Sequence, residues 1–455
     1  MSNEELRAHQ LVELERSLNK VTFENVQIGS IMAVYWGILY GQRPHAVTPR
    51  LFLSIIYIHL KSLFQNSKTK DFEKPFVYIK TGNTPHLQNL KSAVLYNSKI
   101  KQATLIIESD DIGGIPFKDI SRGYKLKDII TVWVFMKRNF KHINNLLKWK
   151  DFNFRTRMFL FLNLFIQLIK TLAILNFLKN QKKLSLIGGD YDRGHDTAPL
   201  FAAAKSLDIL SFTLQHGVIN PPYGYHPLIA NEIWVWGDMA KEQLLSLGVS
   251  KKDIRLVGTP IIQDIEISKT RRQGLFNCLH LKKGNNVVLA LSYPDINNDR
   301  LLVRFLHDIQ KLYRDENDNF LVKLHPARNP EDYKWITKNF GFAILPNSME
   351  QVDFMNLVDI LLVHSSGIAT EAFYFGIRVG ILDILSISPG NGLELHKYFN
   401  VPLLKKVSDF GILRDASEIK LKNTKIYYST GRESKNKISK LIYEKIYSKA
   451  GLYTH

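Results

Sequence analysis

With 455 residues, 45% of them hydrophobic and 23% charged, the chain is long enough for two domains of roughly 200 residues and excludes collagen-like, disordered and disulfide-rich classes. Its single cysteine, Cys278, excludes intramolecular disulfides and zinc sites built from several thiolates. A formal net charge of +19 favours polyanions, but the basic residues are scattered and aromatics such as Phe140 and Trp149 fall among them only singly, so no nucleic-acid partner is expected and an anionic membrane surface is a candidate.

The first residues, Met-Ser-Asn-Glu-Glu-Leu-Arg, lack the basic start and apolar core of a secretion signal, so a cytoplasmic protein is expected, at most peripheral at the inner face of a membrane. Phe76 to Ile79 and Thr104 to Glu108 read as strands. Met158 to Leu178 is the most membrane-like stretch, but Asn163, Gln167, Lys170 and Asn176 interrupt it, and a spanning helix needs ~20 predominantly apolar residues. It reads as a buried or surface-docking helix. Leu184 to Ile187, Ile209 to Leu214, Ile233 to Trp236 and Ile254 to Val257 are further strands, with helices at Asp196 to Ser206 and Met239 to Leu247. Residues 1–267 are thus expected to form one Rossmann-like α/β domain.

Residues 268–285 are basic, polar and aperiodic, and read as a linker. Beyond them, strand-like runs at Asn286 to Tyr293, Asn319 to Leu324, Phe342 to Leu345, Ile360 to Val363 and Val379 to Ile384 alternate with amphipathic stretches. Those stretches are Arg300 to Tyr313, Pro330 to Phe340, Met349 to Leu357 and Gly367 to Phe375. This βα alternation predicts a second parallel-sheet domain over 286–430, followed by a basic helix over 431–455. No Walker-type glycine loop appears.

Two segments of the second domain suit a phosphate. His364-Ser365-Ser366-Gly367 follows an apolar strand and opens a helix, whose free N–H groups and dipole favour an anion. Glu371, one to two turns on, is placed to accept hydrogen bonds from ribose hydroxyls. Lys323-Leu-His325-Pro326-Ala-Arg328 lies at the carboxyl end of another strand, where open α/β sheets bind ligands. His325 can donate to a phosphate oxygen, Pro326 fixes the turn, and Lys323 or Arg328 can neutralise charge. Each segment alone reads as a turn or a helix cap.

Lys-Leu-His-Pro followed by His-Ser-Ser-Gly resembles the HP and SS motifs of bacterial GT-B transferases with cytidine-nucleotide donors: polysialyltransferases, capsular Kdo transferases and, more loosely, CDP-glycerol glycerophosphotransferases. Asp190-Tyr-Asp192-Arg193-Gly-His195, Leu214-Gln215-His216-Gly217, Trp236-Gly237 and Val257-Gly258-Thr259-Pro260 follow the order of capsule and surface-carbohydrate proteins of that group. The resemblance implies two Rossmann-like domains facing a cleft, the first on the acceptor side and the second binding a nucleotide-sugar. It implies His325, Ser365 or Ser366 at the donor phosphate and Glu371 at the ribose, with Gly367 beside them. The catalytic carboxylate is expected in the first domain: Asp111, in Glu108-Ser-Asp110-Asp111-Ile-Gly113-Gly114, or Asp190 or Asp192, with Arg193 and His195 adjacent. Gln215, His216 and Gly217 are expected at the cleft.

The function expected is metal-independent, inverting transfer of a CMP-linked sugar to a glycan or lipid-linked glycan in surface polysaccharide synthesis. No cofactor beyond the nucleotide-sugar co-substrate is expected. Asp190-Tyr-Asp192 has the shape of a metal-binding DxD, but the phosphate-binding half lies downstream, so no metal is expected. The alternatives are a CDP-glycerol-type glycerophosphotransferase, a nucleotide-sugar epimerase of the same fold, and a non-catalytic nucleotide-sugar-binding partner of an assembly complex.

Overall fold

Two six-stranded sheets carry the fold, and every pairing in both is parallel. The computed structural model describes residues 3–33, 35, 74–80, 89–108, 125–148, 152–217, 219, 224–262, 267–291, 296–313, 315–325, 328–385, 391–415 and 425–448. The chain divides into two compact units, Met1–Ile261 with Ser429–His455, and Ile262–Tyr428.

In the first unit a helix, Asn3–Leu18, precedes a small antiparallel pair, β1 (Thr22–Phe23) and β2 (Val26–Gln27). The sheet comprises β3 (Phe76–Lys80), β4 (Thr104–Glu108), β5 (Leu186–Gly189), β6 (Leu210–Leu214), β7 (Glu232–Val235) and β8 (Ile254–Leu256), in the order β4-β3-β5-β6-β7-β8. Strands covered on both faces read as continuous apolar runs, and all four residues of β5 are buried. Its Gly188 has a packing reason: a Cβ there would lie 2.5 Å from the Phe212 ring, which stacks between Phe76 and Trp234.

The helix Phe154–Lys179 is long and apolar enough to cross a membrane, but 72% of its most apolar window is buried in this unit. Leu164, Leu168, Leu172 and Leu175 place it in the main hydrophobic core. The last helix, Gly431–Ser448, returns to the first sheet, where Ile438, Ile442 and Ile446 pack with Phe76, Leu90 and Val94. Its entry is made by Thr259 N donating to Ser429 O (2.9 Å) beside Gly258, whose φ of +79° suits glycine.

The second unit contains β9 (Asn286–Ala290), β10 (Asn319–Lys323), β11 (Ala343–Leu345), β12 (Ile360–Val363), β13 (Arg378–Leu382) and β14 (Leu403–Leu404). Their order is β11-β10-β9-β12-β13-β14, the 3-2-1-4-5-6 arrangement of the dinucleotide-binding fold. The stretch 268–285, expected as a linker, has regular structure. It holds a helix, Lys269–Cys278, fixed to the second unit by Arg271 Nε to Asp353 (2.6 Å) and Arg272 to Asp359 (2.5 Å). Two of its three basic side chains, Arg271 and Arg272, are spent on ion pairs with acidic residues distant in sequence, which local periodicity does not reveal.

Candidate functional site

A doubly wound sheet binds ligands where its strand order reverses, outside the carboxyl ends of the strands. In the second unit that switch point lies between β9 and β12. Lys323 of β10 and Val363 of β12 both pair with Ala290 of β9. Their chains therefore leave the sheet at one level, about 10 Å apart at ordinary strand spacing. His325 and Ser365 each stand two residues beyond that row. The sheet thus brings the two predicted phosphate segments to one edge.

His364 is buried, and its Nδ1 lies 2.8 Å from the carbonyl of Leu382 at the end of β13. A carbonyl only accepts, so Nδ1 carries the proton. Nε2 is buried without a hydrogen-bond partner among the described residues. Such a group is costly in a folded interior and calls for a reason. Ser365 and Ser366 are partly exposed and Gly367 is exposed. The helix Ile368–Tyr374 then starts with no side-chain cap at Gly367. A Cβ on Gly367 would meet nothing within 4 Å, so neighbouring protein atoms do not demand glycine there.

Other predicted donor residues have partners within the second unit. Arg328 donates to Asp299 (2.8 Å) and lies 5.3 Å over the Tyr333 ring, while the Tyr333 hydroxyl donates to the same Asp299 oxygen (2.7 Å). That guanidinium, expected to neutralise phosphate charge, is here engaged with Asp299 and braces the loop after β10. Lys323 is half-buried with its ammonium 5.4 Å over the Phe354 ring, and desolvation lowers its pKa. Glu371 accepts a hydrogen bond from Gln351, and burial pushes its carboxyl up to about 7. Pro326 lies outside the described residues, as does Asp111 of the first unit.

At the carboxyl edge of the first sheet, Asp190 follows β5 at the reversal between β3 and β5. It is fully buried: Tyr78 donates its hydroxyl to Oδ2 (2.9 Å) and Leu90 its backbone N–H to Oδ1 (2.8 Å). Desolvation pushes its carboxyl up to about 7. Asp192, also buried, accepts from the backbone N–H groups of Ile229 (3.0 Å) and Ala230 (3.1 Å). Arg193 pairs with Glu15 and donates to the Pro227 carbonyl. Asp190, Asp192 and Arg193, expected at the catalytic site or its cleft, are thus buried and engaged within the first unit. In this structure they tie β5 to the first helix and to the loop before β7.

His195 differs, with its side chain 48% exposed. Its Nδ1 lies 3.2 Å from Asp196 and 2.8 Å from Lys170 Nζ, which also reaches Asp196 at 2.9 Å. Burial opposes ionisation of Asp196, yet the His195 and Lys170 contacts hold it well below the usual carboxylate range. Lys170 and Asp196 were missed in the sequence. The available signal was a lysine inside an apolar helix, which reads first as an interruption. Gln215 braces the edge through Gly217 O (2.9 Å) and Trp236 N (2.8 Å), and His216 sits between the rings of Tyr191 and Tyr225, both 4.9 Å away. Among the described residues no group of three or more His, Cys, Asp or Glu gathers as a metal site would require.

Two doubly wound parallel sheets in one chain, one of them in dinucleotide-binding order, define a GT-B-type α/β protein with two Rossmann-like domains. No protein-family model matches the sequence, and no curated protein matches it either. Solved structures resemble the chain distantly. The S. aureus protein MnaA with UDP is 15% identical with a TM-score of 0.47, over 84% of this chain and 98% of that one. The UDP-GlcNAc 2-epimerase of Neisseria meningitidis bound to UDP-GlcNAc is 15% identical with a TM-score of 0.45, over 82% and 99%. A glycosyltransferase from Rickettsia africae is 11% identical with a TM-score of 0.42, over 83% and 94%.

Proposed function

We propose that this protein is a nucleotide-sugar-dependent transferase whose donor phosphates lie at the switch point of the second sheet. One observation carries the reading: His325 and the His364 to Gly367 segment flank that point at one level, with Ser365 and Ser366 partly exposed and an open Gly367. Such an edge offers donors to the departing phosphate, which is where the charge of the reaction develops. The reaction proposed is metal-independent, inverting transfer of a CMP-linked sugar to a glycan or lipid-linked glycan in bacterial surface polysaccharide synthesis. Glu371 is proposed for the ribose. The acceptor proton goes to a group of the first unit, and His195 with Asp196 behind it is the exposed candidate.

The burial of Asp190 and Asp192 favours a second reading, a non-catalytic nucleotide-sugar-binding partner in an assembly complex. Two measurements decide. Thermal unfolding with CMP, CDP, UDP and their sugars identifies the nucleotide, since a ligand at about 100 times its Kd adds roughly 2.7 kcal/mol. Turnover with CMP-Kdo, CMP-sialic acid, CDP-glycerol and UDP-GlcNAc then separates transferase from glycerophosphotransferase, epimerase and silent binder. Stabilisation by no nucleotide defeats both readings. Normal turnover of His325→Ala defeats the placement of the donor.

A further inference from the structure

Seven of the sixteen large apolar side chains exposed among the described residues lie on two consecutive helices, Leu126–Leu147 and Phe154–Lys179. On the first, Leu126, Ile130, Trp133 and Phe140 recur at helical spacing, so they share one face, about a quarter-turn round the helix from the buried Val132, Met136 and Ile143. Trp133 is 61% and Phe140 50% exposed. The second helix extends the patch, because Phe161 lies 5.3 Å from Phe140 and Phe165 6.4 Å from Trp133. Phe154 and Met158, at its start, are exposed too.

The charge around this patch has one sign. From residue 125 to 158 the sequence has nine Lys and Arg against two acids, Asp128 and Asp151. Asp128 is buried and accepts from Lys125 N (2.7 Å) at the helix start. Lys137, Arg138 and Lys141 are all exposed, Lys137 and Lys141 beside the apolar face and Arg138 about a third of a turn round from it. A basic helix face bearing Trp, Phe and aliphatic residues suits the interface of an anionic bilayer: the rings enter the headgroup boundary while the long basic side chains reach up to lipid phosphates.

We infer that the exposed face of Leu126–Leu147, with the start of Phe154–Lys179, docks the protein onto an anionic lipid surface. The inference is independent of the donor site, since lipid binding is read without turnover. The test is co-sedimentation of the full-length protein with phosphatidylcholine vesicles and with vesicles rich in phosphatidylglycerol. Binding is expected only to the anionic vesicles and falls as salt is raised. Lys137→Glu/Arg138→Glu/Lys141→Glu weakens it by at least about fivefold per charge, and Ile130→Ser/Trp133→Ser weakens it at unchanged charge. Lys251→Glu/Lys252→Glu, an exposed basic pair elsewhere, weakens it much less. Quenching of wild-type tryptophan fluorescence by brominated lipid, lost in Trp133→Phe, reports insertion without a destabilising change. No binding to anionic vesicles, equal losses in the 251/252 control, or conversion of a dimer to a monomer by the face variants would each overturn the inference, the last identifying the occupant as a second copy.

Discussion

Arg193 and Glu15 form an ion pair whose side chains are 1% and 0% exposed, joining the loop after β5 to the first helix. Burial pushes the Glu15 carboxyl up, and the Arg193 guanidinium pulls it back down. Removing one partner of such a pair leaves an unpaired charge in the interior. Arg193→Ala is therefore expected to cost about 3–5 kcal/mol in urea unfolding. Arg193→Lys should recover little, because the pair is two-pronged and also reaches the Pro227 carbonyl. A loss below about 1 kcal/mol would show the pair to be solvated.

The pH dependence of stability follows from Asp190. An ordinary Asp titrates near 4, whereas burial carries Asp190 to about 7 against the opposing hydrogen bonds of Leu90 and Tyr78. Between those values the folded protein holds the proton and the unfolded chain has lost it. This stability is therefore fully present below about pH 4 and declines as pH rises to about 7. Glu371, also at about 7, acts in the same direction. Asp190→Asn imitates the protonated acid and should flatten the decline when unfolding midpoints are followed across that window. A wild-type midpoint rising with pH there contradicts the assignment.

The sheet of the second unit was legible because strands buried on both faces are continuous apolar runs: Asn286–Ala290, Asn319–Lys323 and Ile360–Val363 are contained in the expected segments. What local pattern does not carry was lost. The two-residue strand Leu403–Leu404 is defined only by its pairing with β13. At the site, His325 and His364 to Gly367 were legible as strand ends. The buried partners of Asp190, Asp192, Arg193 and Arg328 were not. A polar cluster after a strand reads alike whether it meets a substrate or pins a loop, and the partners Glu15, Tyr78 and Asp299 are too distant in sequence to be read from it.

The return of the chain to the first unit predicts a long-range stability effect. Ile442 is fully buried against the first sheet although it belongs to the final helix. Ile442→Ala should lower stability by about 2–5 kcal/mol, as for other large-to-small core changes. Amide exchange in β3, Phe76–Lys80, should rise with it. Unchanged exchange there would mean that the helix frays independently of the sheet.

Gly367 separates folding from binding. Its φ of −61° and ψ of −24° are ordinary for any residue, and an added Cβ meets only open space. Gly367→Ala and Gly367→Leu should therefore leave the unliganded protein within about 0.5 kcal/mol of wild type. A Cβ at Gly380, by contrast, would lie 2.5 Å from Leu413, so Gly380→Leu overpacks the second core and should cost at least about 1–3 kcal/mol without ligand. If a phosphate approaches the backbone after β12, the Gly367 variants lose affinity in proportion to the bulk added. A tenfold weaker Kd removes about 1.4 kcal/mol of nucleotide-induced stabilisation at fixed ligand concentration. Thermal unfolding with and without the stabilising nucleotide measures both quantities on one sample. Full nucleotide stabilisation in Gly367→Leu would move the phosphate away from the His364 to Gly367 segment.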